Sequence, residues 1–144
     1  MPIIHITAPA GTFNNHTRDE LAEQLTTIAL THEGLPLTAF VRSTVWIYMH
    51  DLTPTHVYHG GQTARASVTT VEVNAFAGGL DDMAKEHIIS DFTHAIKHAA
   101  NMPDDAPAPV YILFRDIQPT NGGVFGSTIS LDELRHPDPD ARPI

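Results

Sequence analysis

The residue with most chemical promise in this sequence is Pro2, which follows Met1 and heads an apolar run, Pro2-Ile3-Ile4-His5-Ile6. Aminopeptidases remove an initiator methionine when the next side chain is this small, and the product carries a secondary amine as its first atom. An α-amino group titrates at about 7.7–8.0, and apolar walls disfavour its charged form and lower that value. A strand-borne N-terminal proline can therefore be a neutral, rigid base at physiological pH, as general-base catalysis requires. The reading is conditional on removal of Met1.

A base needs companions, and the spacing of elements brings one to it. A first strand of about six residues rises roughly 20 Å, and a following helix of about fourteen residues travels roughly 21 Å. If that helix folds back along the strand, His32 at its C-terminal end returns to the neighbourhood of Pro2. As a core or capping histidine it would do no chemistry. Arg42, Arg65 and Arg115 are the arginines outside the first helix and the tail, and so the cations open to an acidic substrate. His94 and His98 stand four apart on a helical segment, a spacing that could hold zinc. No His-Glu-x-x-His context accompanies them, and exposed helical histidines account for them better. No cofactor is expected.

The elements that position these residues are legible as periodicities. Leu21, Leu25, Ile28 and His32 share one helical face from Thr17 onward, with Asp19 and Glu20 read as first-turn acids and Gly34-x-Pro36 as the stop. A second helix runs from Leu80 to Ala99 behind Gly78-Gly79. Strands are expected at Ile3–Thr7, Thr44–Met49, Ser67–Phe76 and Val110–Phe114, with Val57-Tyr58 before a turn at Gly60-Gly61. The order repeats at an offset of about 65 residues. The fold class is α+β: two tandem βαβ units forming a four-stranded, mostly parallel sheet with two helices on one face. The other face is too apolar for water, and a trimer would cover it. Residues 1–126 make the domain; residues 127–144 make an extension expected to pack on or wrap a neighbouring subunit.

Composition narrows the function. Eight Lys and Arg against seventeen Asp and Glu, with no basic run, argue against a nucleic-acid or anionic-membrane partner. Zero cysteine excludes disulfides and thiol chemistry. No basic-then-apolar leader opens the chain and no apolar run approaches the roughly 20 residues of a membrane span, so a soluble, cytoplasmic protein is expected. A phosphate-cradling glycine loop and a serine nucleophile elbow are both missing from the sequence.

Taken together, the N-terminal proline on a strand, the doubled unit and the bare sheet face resemble the tautomerase superfamily. Leu35-Pro36-Leu37-Thr38 and His56-Val57-Tyr58-His59-Gly60-Gly61 are similar to elements of oxalocrotonate tautomerase, and Val110-Tyr111-Ile112 with Asp116 to the second unit of macrophage migration inhibitory factor. Length, the loop Ala8–Phe13 and Thr31-His32-Glu33 place it nearest the group related to cis-chloroacrylic acid dehalogenase. The resemblance covers roughly residues 2–126. It implies that the Pro2 nitrogen shuttles a proton, that His32 and Arg42 hold a substrate carboxylate, and that Tyr111 lines the pocket from a neighbouring subunit. Aligning on the hairpin instead puts Trp46 in the register of Arg42. Tyr58 and Phe125, with Val57, are expected as the apolar wall of the pocket.

The departures from the family are as informative. The arginine pair of the cis-dehalogenases falls on Ala77 and Leu80, the water-activating glutamate on Val124 and the tyrosine on Leu113. Dehalogenation thereby lacks its machinery. The function expected is a cofactor-independent tautomerase moving a proton between keto and enol forms of a small 2-oxo acid. The alternatives are a hydratase, decarboxylase or dehalogenase of an unsaturated acid using the same proline, with Asp116 or Glu33 placing water, and a non-catalytic trimeric binding protein.

Overall fold

The computed structural model describes residues 2–63, 67–124 and 126–144. The first strand, β1 (Ile3–Pro9), alternates as its sequence demands: Ile4, Ile6 and Ala8 are buried while Ile3, His5 and Thr7 face the other way. Helix α1 (Asn15–His32) begins two residues earlier than its periodicity suggests. Asn14 accepts from the Thr17 amide at 3.0 Å and the Thr17 hydroxyl accepts from the Asn14 amide at 3.1 Å, a reciprocal cap. Thr17 closes this cap, so Asp19 and Glu20 lie beyond the first turn. Gly34 stops the helix with φ +67°, a backbone conformation that glycine adopts without strain.

A short helix not foreseen in the sequence, α2 (Ala39–Ser43), is capped by Thr38 and leads into β2 (Trp46–Leu52). A hairpin of β3 (Tyr58–His59) and β4 (Gln62–Thr63) turns at Gly60-Gly61. The second unit follows as β5 (Thr69–Phe76), α3 (Asp82–Ala99) and β6 (Val110–Ile117), and α4 (Leu131–Arg135) lies in the tail.

The sheet runs β2-β1-β5-β6. Each βαβ unit supplies one parallel pair, β1 with β2 and β5 with β6, and the two units meet through an antiparallel β1–β5 pair. Two of three pairings are thus parallel, and the antiparallel join refines the mostly parallel expectation. Both long helices cover one face, where Ile4, Ile6, Leu21, Leu25, Val71, Val73, Ile88, Phe92 and Ile96 form the main core. A second cluster at the Pro2 end joins Leu30, Leu35, Val41 and Phe76 to Leu134 of α4, which is fully buried. The tail beyond residue 127 therefore packs on its own chain through Leu134. Among the described residues no helix is long and apolar enough to cross a membrane.

Candidate functional site

Strand registers fix what lies beside Pro2. On the face without helices, Trp46, Ile3, Asn74 and Arg115 stand side by side across β2, β1, β5 and β6. The next row is Tyr48, His5, Glu72 and Leu113, and the third is His50, Thr7, Thr70 and Tyr111. Pro2 is one residue beyond the first row. It is buried, and its carbonyl accepts the Trp46 amide at 3.4 Å. A small, mostly apolar cavity of about 50 Å³ is lined by its chain neighbour Ile3 together with Thr44, Trp46, Gly123, Val124 and Ile144.

Gly123 is required here by close packing. A Cβ at this position would stand 2.7 Å from the Ser127 carbonyl oxygen. The tail completes the cavity, since the Ile144 amide donates to the Ser43 hydroxyl at 3.0 Å and so seats Ile144 against Ile3 and Trp46.

The sequence-derived candidates do not converge within one chain. His32 is at the Pro2 end, because α1 does fold back along β1. Its Nε2, however, lies 2.9 Å from Asp91 Oδ2 on α3, with the His87 ring beside it. Arg42 also sits at this end, yet its guanidinium binds Glu23 at 2.6 Å and the Thr27 hydroxyl at 3.0 Å along the outside of α1. Tyr58 and Tyr111 line a 440 Å³ pocket with Thr7, Leu52 and Thr70 at the opposite end of the sheet. Five or six residues of strand, roughly 17–20 Å, separate them from Pro2. Phe125 and Arg65 lie outside the described residues. Asp116, a candidate acid, is paired with Lys85 at 3.1 Å.

Residues missed in the sequence are Thr44, Val124 and Ile144 of the cavity, and Asn74, whose amide donates to the Ile3 carbonyl at 3.2 Å. Strand alternation alone could have placed Asn74 beside Ile3 had the β1–β5 register been known. The largest groove, about 670 Å³, lies between α1 and α3 and includes Asp91, His94 and His98. None of its lining residues belongs to the sheet, so it is separate from the proline.

Comparison with known proteins gives a consistent picture. Residues 1–104 match the family described as "Putative oxalocrotonate tautomerase enzyme". No curated protein matches the chain. Among solved structures, a member of the cis-3-chloroacrylic acid dehalogenase family, N1, superposes with a TM-score of 0.75 at 18% identity, covering 89% of this chain and 83% of that one. The F6 fused 4-OT, an asymmetric trimer, gives 0.73 at 21% identity over 88% and 94% of the two chains. Pt0534, solved after inactivation by 2-oxo-3-pentynoate, gives 0.73 at 18% identity over 92% and 98%. At these identities the superpositions establish a shared fold.

Proposed function

Because the chain belongs to the oxalocrotonate tautomerase family, we propose that it moves a proton between the keto and enol forms of a small 2-oxo acid, with Pro2 as the base once Met1 is removed. The observation that carries the reading is the placement of Pro2: a buried residue at the head of a central strand, next in the chain to Ile3, which lines a small and mostly apolar cavity. The neutral amine takes a proton from the enol oxygen or from the carbon next to the carbonyl and returns it to the other atom. A cation holds the carboxylate and steadies developing enolate charge. His32 or Arg42 takes part only by exchanging Asp91 or Glu23 for the substrate.

The site is shared between copies in this scheme. Tyr58 and Tyr111 are too far from Pro2 of their own chain, and a trimer brings a neighbour's tyrosines to it. Phe125 is proposed for the same wall. The trimeric assembly of the F6 relative supports this arrangement. The inactivation of Pt0534 by 2-oxo-3-pentynoate, an acetylenic 2-oxo acid, supports the substrate class. Water addition is the weaker reading, since Val124 stands where the dehalogenases carry their glutamate.

Intact mass before and after bromopyruvate, with peptide mapping, tests the base directly. Loss of Met1 and a single adduct on Pro2 are expected, with Pro2→Ala reducing phenylenolpyruvate turnover at least about a hundredfold. Retained Met1 with no turnover would leave a binding protein as the function; an unlabelled Pro2 with turnover unchanged in Pro2→Ala would remove Pro2 as the base.

A further inference from the structure

We infer that the tail beyond α4 is a gate: Ile144 plugs the cavity lined by Ile3 and Trp46, and that cavity opens to substrate when Ile144 lifts. The closure stands on geometry, while the substrate it admits rests on the tautomerase reading. With Ile144 seated, the cavity measures about 50 Å³. Small-molecule sites span about 300–1,000 Å³, so a 2-oxo acid has no room beside Ile3 in this form. A second hollow of about 280 Å³ is lined by Phe40, Val124 and Ile129 and by Pro137 and Ala141 of the tail itself. Val124 walls both spaces, so withdrawal of Ile144 lets them join around it.

The attachments of the tail are those of a strap. Leu134, fully buried, fixes its near end. The described residues 136–144 form no helix or strand, and of these Pro137 and Ala141 are half-buried while the rest are exposed. At the far end the Ile144 amide donates to the Ser43 hydroxyl at 3.0 Å, and that hydroxyl donates to the Phe40 carbonyl at 2.7 Å. Ile144 remains 53% exposed. One neutral hydrogen bond and half an apolar side chain make a weak seat, and weakly held segments open locally far more often than a core does. Pro137, Pro139 and Pro143 fix φ at three positions, so the strap swings as a piece about the end of α4.

The chain has no cysteine, so Ser43→Cys with Ile144→Cys makes a lock that closes on oxidation and opens on reduction. The 3.0 Å contact between these residues puts their Cα atoms within disulfide reach. The full chain, after Met1 removal, is followed by acrylamide quenching of Trp46, bromopyruvate labelling of Pro2 and turnover of phenylenolpyruvate. Oxidation should slow labelling and turnover at least about tenfold and weaken quenching, with reduction restoring all three. Ile144→Gly should strengthen quenching and speed labelling. A locked protein that is quenched and labelled like the reduced one overturns the gate. So does a cysteine pair that will not oxidise, or an Ile144→Gly variant that behaves as wild type. Pro2→Ala with full turnover would instead remove the tautomerase reading, and quenching of Trp46 would still decide the gate.

Discussion

His5 Nδ1 and His50 Nε2 stand 3.0 Å apart on neighbouring strands, with ring planes 11° from parallel and centroids 5.3 Å apart. That centroid separation is what two ring radii added to the nitrogen distance give, so the rings lie edge to edge in one plane. Their lone-pair directions point at each other, which is the geometry of an N–H···N bond and not of two ligands converging on a metal. One proton fits between them; a proton on each nitrogen does not. Tyr48 flanks His5 at 5.1 Å, and Glu72, bound to Arg115, lies directly across from it on β5. Removing one partner of the bond should therefore loosen β2: His50→Leu should lower the melting temperature, and a thermal melt unchanged from wild type would sink the reading. The same residue scale shows why the site was only half legible. Pro2 announces itself because its chemistry depends on chain position. Strand and helix lengths bring His32 back to the Pro2 end, as the structure has it, but the partners of His32 and Arg42 are settled by Asp91 of α3 and Glu23 of α1, which no local spacing reveals.

At the scale of elements, the tail is the part whose packing the composition hid. Its Pro-rich stretch reads as a loose arm, whereas Ser130 and Glu133 form a reciprocal cap on α4 and Leu134 fills a hole between Leu30, Leu35, Val41 and Phe76. One buried leucine in a five-residue helix is too short a signal for periodicity to register. Leu134→Ala should cost about 2–5 kcal/mol. Since Ile144 and Trp46 share the cavity beside Ile3, undocking the tail should also shift the fluorescence of the sole tryptophan. A destabilised variant with unchanged emission would show that the tail's far end docks independently. The cap has its own pH dependence. The Ser130 backbone N–H, then its side chain, hold the Glu133 carboxyl below its ordinary value. A depressed carboxylate stabilises above its unfolded-state value and loses that contribution as pH falls through the folded one. Protection of the Ser130 amide, measured as its exchange relative to the intrinsic rate at each pH, should accordingly fall on acidification, and Glu133→Gln should show faster exchange than wild type at neutral pH.

The whole molecule presents a sheet covered on one side and, on the other, three rows that include Trp46, Tyr48, Tyr111 and Leu113, each between 42% and 75% exposed. The doubled unit that produces this imbalance was readable from two matching strand–helix–strand patterns. The antiparallel join was not, because each unit has the same periodicity whichever way it meets the other; the path through the β3–β4 hairpin decides it. In the proposed scheme, covering the face and completing the site make the same demand, since Pro2 and Tyr111 sit at opposite ends of one sheet and a second copy would have to bring them together. A charge in the middle row of the face, on its edge strand, separates folding from assembly. Leu113→Lys lies on an edge strand with its side chain in solvent, so the variant should keep its secondary structure while an ammonium from every copy opposes closure. Light scattering should move from three times the 15.7 kDa chain mass toward one. Turnover of phenylenolpyruvate should fall with it and recover as protein concentration rises. A monomer that retained full turnover would place every catalytic group within one chain, and would require a pocket that Tyr58 and Tyr111 do not enter.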